Sequence, residues 1–304
     1  MFHHVLNVQR NRGRKLARSA ARTEEESTRH QRLTEIDIAA LAHDFHQWRD
    51  GAAKKSFSTS KRRVEIFLEF LSSGGFYRKT AKAEGVSKAS VIFATRNVVN
   101  YFMERAQNFV SLPDPAEFAR LEQVVVDENE RNRNAILFID GAILPIQRPD
   151  EAGDAFYCGR NGKHRDSLNV QVVCDRFGDI RHVSSGIPGS AHDANAATWS
   201  PAFLRFLDNL PEPYCVIGDA GYTGVHEKIV CPFRGQNLGA RRLQFNEDIS
   251  KIRQVVERTI GALQNKWRIL QLKESRLPAK NGVEFAAQCV VAACVLHNRF
   301  TNNI

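Results

Sequence analysis

Two short apolar runs, each with an aspartate at most two residues after its end, constrain the fold of this chain more than any other feature. Residues 136–139 form the first run and lead into Asp140-Gly141; residues 214–217 form the second and lead into Gly218-Asp219. A continuous apolar run of this length is typical of a strand that is buried on both faces. The sequence therefore predicts an α/β fold in which two acidic side chains stand at the ends of buried strands.

Further strands and helices surround these two runs. Residues 168–174 and 180–185 predict a hairpin joined at residues 175–178, and residues 229–231 predict another strand. Residues 201–210 predict a helix, and residues 250–270 predict a longer one, whose apolar stripe is Ile252, Val256, Ile260, Leu263, Trp267 and Leu270. Glu257 lies beside that stripe, so we expect it near the sheet and away from water.

The first third of the chain has a helical pattern that includes a predicted helix-turn-helix. Ala81 is small enough for two helices to cross closely, Gly85 suits a tight turn, and Ser87 is a natural N-cap for the second helix. The first residues of that helix, Lys88, Ala89 and Ser90, are then expected to face a DNA groove. Arg96, on a later turn of the same helix, is expected to face it too. The alternative is a plain helical hairpin that binds no ligand.

Charge and punctuation indicate how the chain is divided. The net charge is +9, which favours a polyanionic partner such as DNA, although it also serves simple solubility. Residues 1–22 contain six basic side chains and no acid, a composition typical of a disordered arm that contacts phosphates or acts as a nuclear import signal. The predicted units are a basic disordered arm (1–32), a helical domain (33–110), a linker (111–134) and an α/β domain (135–304), with the boundary marked by Leu112-Pro113-Asp114-Pro115.

Two other classes of protein are not favoured. The longest nearly apolar stretch, residues 286–296, is too short to cross a bilayer, which needs roughly 20 residues, and we expect no membrane association. The six cysteines contain no C-x-x-C pair, so they are expected to be reduced and buried rather than bound to zinc.

Three carboxylates suit the cleavage of a phosphodiester bond. Two Mg²⁺ ions about 3.5–4 Å apart can serve both the attacking and the leaving oxygen, and Mg²⁺ prefers a few carboxylate ligands. We expect Asp140 to bridge the ions, and Asp219 and Glu257 to complete one shell each. Each residue also has a simpler explanation, since Asp-Gly is common turn chemistry and Glu257 stands four residues after Arg253.

A fourth carboxylate, Asp193, follows His192 in residues 188–193. Asp193 either caps the following helix or extends the metal site. His192 is interpreted as an orienting residue behind the metal ligands, with a purely structural role as the alternative.

The order of several motifs resembles that of the PIF/Harbinger transposases and the nucleases derived from them. The motifs are Ile139-Asp140-Gly141, residues 188–193, Gly218-Asp219-Ala220-Gly221-Tyr222, Val255-Val256-Glu257-Arg258 and residues 294–298, with Phe76-Tyr77-Arg78 and Gly85-Val86-Ser87 upstream. The resemblance implies a ribonuclease-H-like domain, a mixed sheet flanked by helices, behind a small all-α helix-turn-helix domain. It also implies DNA cleavage and strand transfer with a divalent metal, Mg²⁺ or Mn²⁺.

By motif match, the metal ligands are Asp140, Asp193, Asp219 and Glu257. The resemblance further implies work in the nucleus, with the cytoplasm as a second location, a homo-oligomer, and a separate Myb-like DNA-binding partner. A domesticated, non-cutting DNA-binding regulator with the same fold is the main alternative. An RNA-cleaving enzyme is a third hypothesis, which the helix-turn-helix disfavours.

Overall fold

The computed structural model describes residues 33–49, 57–128, 134–150, 154–159, 165–271 and 283–301. The helices are α1 (Glu35–Arg49), α2 (Phe57–Ser72), α3 (Tyr77–Glu84), α4 (Lys88–Arg105), α5 (Pro115–Glu128), α6 (Asp193–Ala197), α7 (Pro201–Asp208), α8 (Ala240–Lys266) and α9 (Glu284–Thr301). The strands are β1 (Ala135–Pro145), β2 (Tyr157–Cys158), β3 (Arg165–Cys174), β4 (Ile180–Pro188), β5 (Cys215–Ile217) and β6 (Ile229–Val230). The predicted α/β fold, with helices and strands after the helical first third, is confirmed. The basic arm predicted over residues 1–32 lies outside the described residues.

The sheet is mixed, as predicted, and β1 lies at its centre. β1 pairs antiparallel with β3 and parallel with β5, while β6 extends the sheet beyond β5 and β4 pairs with the other edge of β3. The short strand β2 pairs with the first residues of β3. Helices flank both faces of this sheet.

β1 does not end at Asp140, and that prediction is wrong. Its backbone continues to Pro145, and Asp140 and Gly141 lie opposite Val172 and Gln171 of β3. On the other side, the pairing with β5 stops at Phe138, opposite Ile217. Asp140 therefore lies within a strand, at the level where one neighbouring strand has already ended and the sheet opens.

Side-chain alternation decides which face of the sheet carries Asp140. Leu137 and Ile139 pack with α7, whereas Phe138 packs in a different cluster with Ile252, Val255 and Val256 of α8. Alternate residues of a strand share a face. Asp140 is thus directed to the face covered by α8, the helix that carries Glu257.

Helix α8 is longer than its apolar stripe predicts. The stripe residues Ile252, Val256, Leu263 and Trp267 are buried as expected, but the helix begins at Ala240 rather than at residue 250. Residues 240–247 have little buried surface, so no apolar period reveals them. In these added turns, Phe245 packs against the cluster of Phe138 and Ile217, and Asn246 forms hydrogen bonds with Phe233.

The four N-terminal helices pack on the rest of the chain. α3 and α4 are joined by a short turn, in which Gly85 has φ 64° and the Ser87 side chain accepts a hydrogen bond from Ser90 N, so both local predictions are confirmed. One hydrophobic cluster continues from these helices through α9 to Leu144 and Val172 of the sheet. The division into separate domains stays a prediction.

The expected burial of the cysteines is confirmed for four of them, whereas Cys215 and Cys231 are only partly buried. All six thiols are free, and Cys158, Cys174, Cys289 and Cys294 are buried.

No helix among the described residues is both long and apolar enough to cross a membrane.

Candidate active site

Asp140 is a mostly buried carboxylate at the centre of the sheet. Its side chain is 22% exposed, its Oδ1 accepts a hydrogen bond from Gly141 N at 3.0 Å, and Arg253 Nη2 lies 3.5 Å from the same oxygen. Burial, the larger cause, and the carboxylates of Asp219 and Glu257 raise the pKa of Asp140 to about 6, against the opposing effect of Arg253. Two acidic groups that lie far from Asp140 in sequence are therefore near enough in space to contribute to its pKa.

Asp219 reaches this region because β1 and β5 run parallel. Ile217 pairs with Phe138, and each strand carries its aspartate two residues further on. Asp219 begins a 3₁₀ turn over Ala220–Tyr222, and its Oδ1 accepts a hydrogen bond from Gly221 N at 2.7 Å. The turn chemistry considered as the simpler explanation is present, and it holds the carboxylate in place at the edge of the sheet.

Glu257 lies at the rim of the same region. Its Oε1 is 3.5 Å from Arg253 Nη1, and its side chain is 52% exposed. The expectation that it stays away from water is wrong, because Val255 and Val256 occupy the positions of α8 that face the sheet. The ion pair with Arg253 is present, but the same guanidinium also contacts Asp140 and so links the helix to the strand.

Asp193 is the fourth carboxylate and the first residue of α6. Its Oδ1 accepts hydrogen bonds from the side-chain amides of Asn169, at 3.0 Å, and Gln171, at 3.4 Å. A Cβ atom at Gly141 would lie 2.6 Å from this Oδ1, so Asp193 closely approaches the backbone beside Asp140. The helix-cap position belongs to His192 rather than to Asp193.

His192 is exposed, and its backbone carbonyl accepts the hydrogen bond of Ala196 N in the first turn of α6. His192 is next to Asp193 in the chain, and its role in orienting that carboxylate stays a prediction.

Sequence reasoning missed a buried polar network behind the carboxylates. Gln171 Nε2 donates to Asn169 Oδ1 at 2.7 Å, and Tyr222 OH donates to Gln171 Oε1 at 2.5 Å. Burial and the neighbouring Asp193, Asp140 and Asp219 carboxylates raise the pKa of Tyr222 well above its ordinary value, so its hydroxyl stays a donor. The signal was present in β3, where Ser167, Asn169 and Gln171 place polar residues at every second position of an apolar strand.

The donor set fits a hard divalent cation. Carboxylate oxygens are the ligands that Mg²⁺ and Mn²⁺ prefer, and like-charged groups at close range require a counter-charge. A Cβ atom at Gly221 would lie 2.8 Å from Asp219 Oδ1 and 3.6 Å from Asp193 Cβ, so the missing side chains of Gly141 and Gly221 leave room for the acidic groups. Among the described residues, however, no three acidic, histidine or cysteine side chains lie close enough together to hold a metal ion, so the carboxylates suit the cation by type and would have to draw together to bind it.

The predicted DNA-facing residues lie on the exposed side of α4. Lys88 and Ser90 are exposed in its first turn, where the Ser90 hydroxyl lies 2.9 Å from that of Ser87. Arg96 is exposed two turns later, and its guanidinium stacks on Phe285 of α9 at 5.6 Å from the ring centroid. The first two are thus close together, whereas Arg96 lies against another helix.

Comparison with known proteins places these carboxylates in a recognised domain. A family model described as "DDE superfamily endonuclease" matches residues 139–298, more than half of the chain. That segment starts one residue before Asp140 and contains Asp193, Asp219 and Glu257.

Curated relatives point in the same direction. The protein named "Putative nuclease HARBI1" is 29% identical in Rattus norvegicus over 76% of this chain and 64% of its own length. The protein of the same name in Homo sapiens is 27% identical over 78% of this chain and 66% of its own length. The chain therefore spans about 64% of the length of the first of these relatives. No solved structure matches the chain. The predicted resemblance to Harbinger-derived nucleases is confirmed, and the chain belongs to the DDE superfamily endonuclease family.

Proposed function

We propose that this chain cuts DNA as a transposase-type endonuclease that depends on a divalent metal, Mg²⁺ or Mn²⁺. The observation that carries the proposal is that Arg253 contacts both Asp140 and Glu257, at the place where β5, which leads into Asp219, ends beside β1 and where Asp193 lies close to Gly141. Family membership supports nuclease chemistry.

Each acidic residue has a role in this proposal. Asp140, on the central strand, would be the ligand that the metal ions share, and Asp219 and Glu257 would each be a further ligand. Asp193, fixed by Asn169 and Gln171, adds a further oxygen. When bound, such a metal pair stabilises the charge on the attacking and leaving oxygens of the phosphodiester.

The chain's other residues prepare the site for this chemistry. Tyr222 and Gln171 hold the loop after β5 against β3 through their hydrogen bond. Glu257 stands half exposed at the rim, so a DNA phosphate approaches from that side. His192 orients the start of α6 next to Asp193.

DNA is the proposed substrate because the chain is basic and because α3 and α4, joined by the turn at Gly85, suit the proposed helix-turn-helix. Lys88, Ser90 and Arg96 are the proposed DNA contacts on α4, although Arg96 must leave or extend its stack on Phe285 to reach a groove. We further propose a nuclear location, a homo-oligomer that holds two DNA ends, and a Myb-like partner.

A non-cutting DNA-binding regulator is the second candidate. It is favoured by the position of Arg253, which already neutralises Asp140 and Glu257.

A metal titration with supercoiled plasmid separates the two candidates. We expect the wild-type chain to nick or linearise the plasmid with Mg²⁺ or Mn²⁺, and Asp140→Asn to lose that activity while it still binds DNA. Asp208→Asn, an exposed acid on α7, is the matched control and should cut normally. Equal cutting by Asp140→Asn would refute the proposal, and binding without cutting by the wild type would favour the regulator. RNA of the same sequence, tested in parallel, should not be cut.

A further inference from the structure

A second surface borders the carboxylates on the side of β6. Because β6 pairs parallel with β5, the chain leaves the sheet after Val230 at the same edge as Asp219. Arg234 then donates a hydrogen bond to the carbonyl of Ala220, the residue after Asp219. Burial raises the pKa of Cys231, and the Asp219 carboxylate contributes to that rise. Residues 231–234 are therefore neighbours of the candidate active site.

Phe233 stands in this segment as a fixed, exposed aromatic ring. The residue is 45% exposed. Its backbone is held by Asn246 of α8, whose Oδ1 accepts from Phe233 N at 2.8 Å and whose Nδ2 donates to Phe233 O at 3.0 Å. Two hydrogen bonds to one side chain thus order a residue that gains little from burial, and a ring in this position is available to a ligand.

The ring is framed by one aromatic and several basic groups. Phe245 packs against it with ring centroids 5.2 Å apart, and the Arg242 guanidinium lies 5.0 Å from its centroid. Arg234, Arg241 and Arg242 are all exposed. Of the acids that follow on α8, Glu247 is exposed and Asp248 is buried. An aromatic ring bordered by arginines is the usual composition of a platform for unpaired bases of nucleic acid.

We propose that Phe233, with Arg234 and Arg242, binds an unpaired nucleobase and its phosphates in the DNA strand next to the bond that is cut. This inference rests on the proposed function and adds a binding site for one part of its substrate. The base stacks on Phe233, and the two arginines neutralise the adjacent phosphates. Freeing a base from its stack also lets the backbone bend toward the carboxylates.

Fluorescence anisotropy with three DNA probes tests this site. The probes are a blunt duplex, the same duplex with a three-nucleotide single-stranded end, and that end with abasic sites, all in Ca²⁺ buffer. We expect the wild type to prefer the end with bases over the abasic end by about tenfold, the usual value of one or two stacked bases. Phe233→Ala should remove that preference, and Phe233→Trp should keep it.

Phe177 provides the matched control. It is 52% exposed with the Arg120 guanidinium 5.2 Å from its centroid, but it lies in the turn between β3 and β4. Cys174, the last residue of β3, pairs with Phe138 near the start of β1. The turn that follows therefore lies toward the start of β1, away from the end at Pro145. Phe177→Ala should discriminate the probes as well as the wild type does, and a loss there equal to that of Phe233→Ala would overturn the proposal.

Two further results would overturn it. One is a wild type that binds both single-stranded ends equally, and the other is a folded Phe233→Ala that still prefers bases. Failure of the proposed function can be told apart from failure of this binding site. A wild type that never cuts DNA can still show the base preference, and so can Asp140→Asn. A chain that cuts plasmid but ignores the bases would refute this site alone.

Discussion

The guanidinium of Arg253 lies 3.5 Å from Oδ1 of Asp140 and, through its other terminal nitrogen, 3.5 Å from Oε1 of Glu257. Its Nε is buried and has no hydrogen-bond partner among the described residues. The positive charge of Arg253 therefore occupies the space between two of the proposed metal ligands. A cation that binds there must overcome its repulsion.

Arg253→Met should increase the affinity for Mn²⁺. One full positive charge disappears within a few ångströms of the cation, so we expect an increase on the order of tenfold or more in calorimetric binding. The same variant should be less stable without metal, since Asp140 loses its counter-charge. The control is Arg258→Met, because that side chain is exposed and donates to Gln254 on the same helix, and the Mn²⁺ affinity of this variant should change little. Weaker metal binding in Arg253→Met would mean that the guanidinium holds the carboxylates in their binding positions.

Gly141→Ala should reduce plasmid cutting by about 100-fold, because the new Cβ would fall 2.6 Å from Asp193 Oδ1 and move that carboxylate. Gly261→Ala is the control. Gly261 lies in α8 with nothing within 4 Å of an added Cβ, so alanine should stabilise the helix by about 0.5–1 kcal/mol and leave cutting unchanged. Nicking rates and urea unfolding measure both variants. Normal cutting by Gly141→Ala would show that the approach of Asp193 to β1 is not needed.

Tyr222→Phe should lower the free energy of unfolding by about 1–3 kcal/mol, because Gln171 Oε1 would lose its donor inside the protein. Tyr214→Phe removes a hydroxyl from a partly buried ring that packs on Phe118, and it should change stability by less. Urea denaturation compares the two. Equal losses would argue against a special role for the network behind Asp193.

Asp175 predicts a pH dependence of stability. It is fully buried, and burial, followed by the Asp179 carboxylate, raises the pKa of Asp175 to about 6 despite Arg181. The folded chain therefore binds this proton more tightly than the unfolded chain, so the contribution is present below about pH 4 and is lost as pH rises to 6.

Relative to Asp175→Asn, the wild type should lose up to about 3 kcal/mol of unfolding free energy between pH 4 and pH 7. Urea unfolding at several pH values measures that difference, with exposed Asp208→Asn as the control. Parallel curves for the wild type and Asp175→Asn would contradict the expected pKa.

Much of the fold could be predicted because its cores have regular patterns. The apolar runs before Asp140 and Asp219 predicted two buried strands, and the stripe from Ile252 to Trp267 predicted the helix that covers them. That the two strands pair with each other was not predicted. The continuation of β1 to Pro145 could not be predicted, because Asp140-Gly141 has the composition of a turn and only pairing with β3 keeps it extended.

The site was predictable in its residue types but not in its connections. The four acids could be chosen by position and motif, whereas the bridge from Arg253 to Asp140 depends on how α8 lies across the sheet. Likewise, the exposure of Glu257 depends on which side of α8 turns toward Phe138, a matter of tertiary packing. Asn169 and Gln171 could be recognised as polar residues at alternate positions of an apolar strand. Their partner Asp193 could not be recognised, because it lies more than twenty positions away in the chain.

The location of bound Mn²⁺ tests the central claim most directly. Crystals soaked in MnCl₂ should give anomalous density in contact with Asp140 and Asp219, with Arg253 turned away from Asp140. Mn²⁺ density elsewhere on the protein, with Arg253 still between Asp140 and Glu257, would contradict the account.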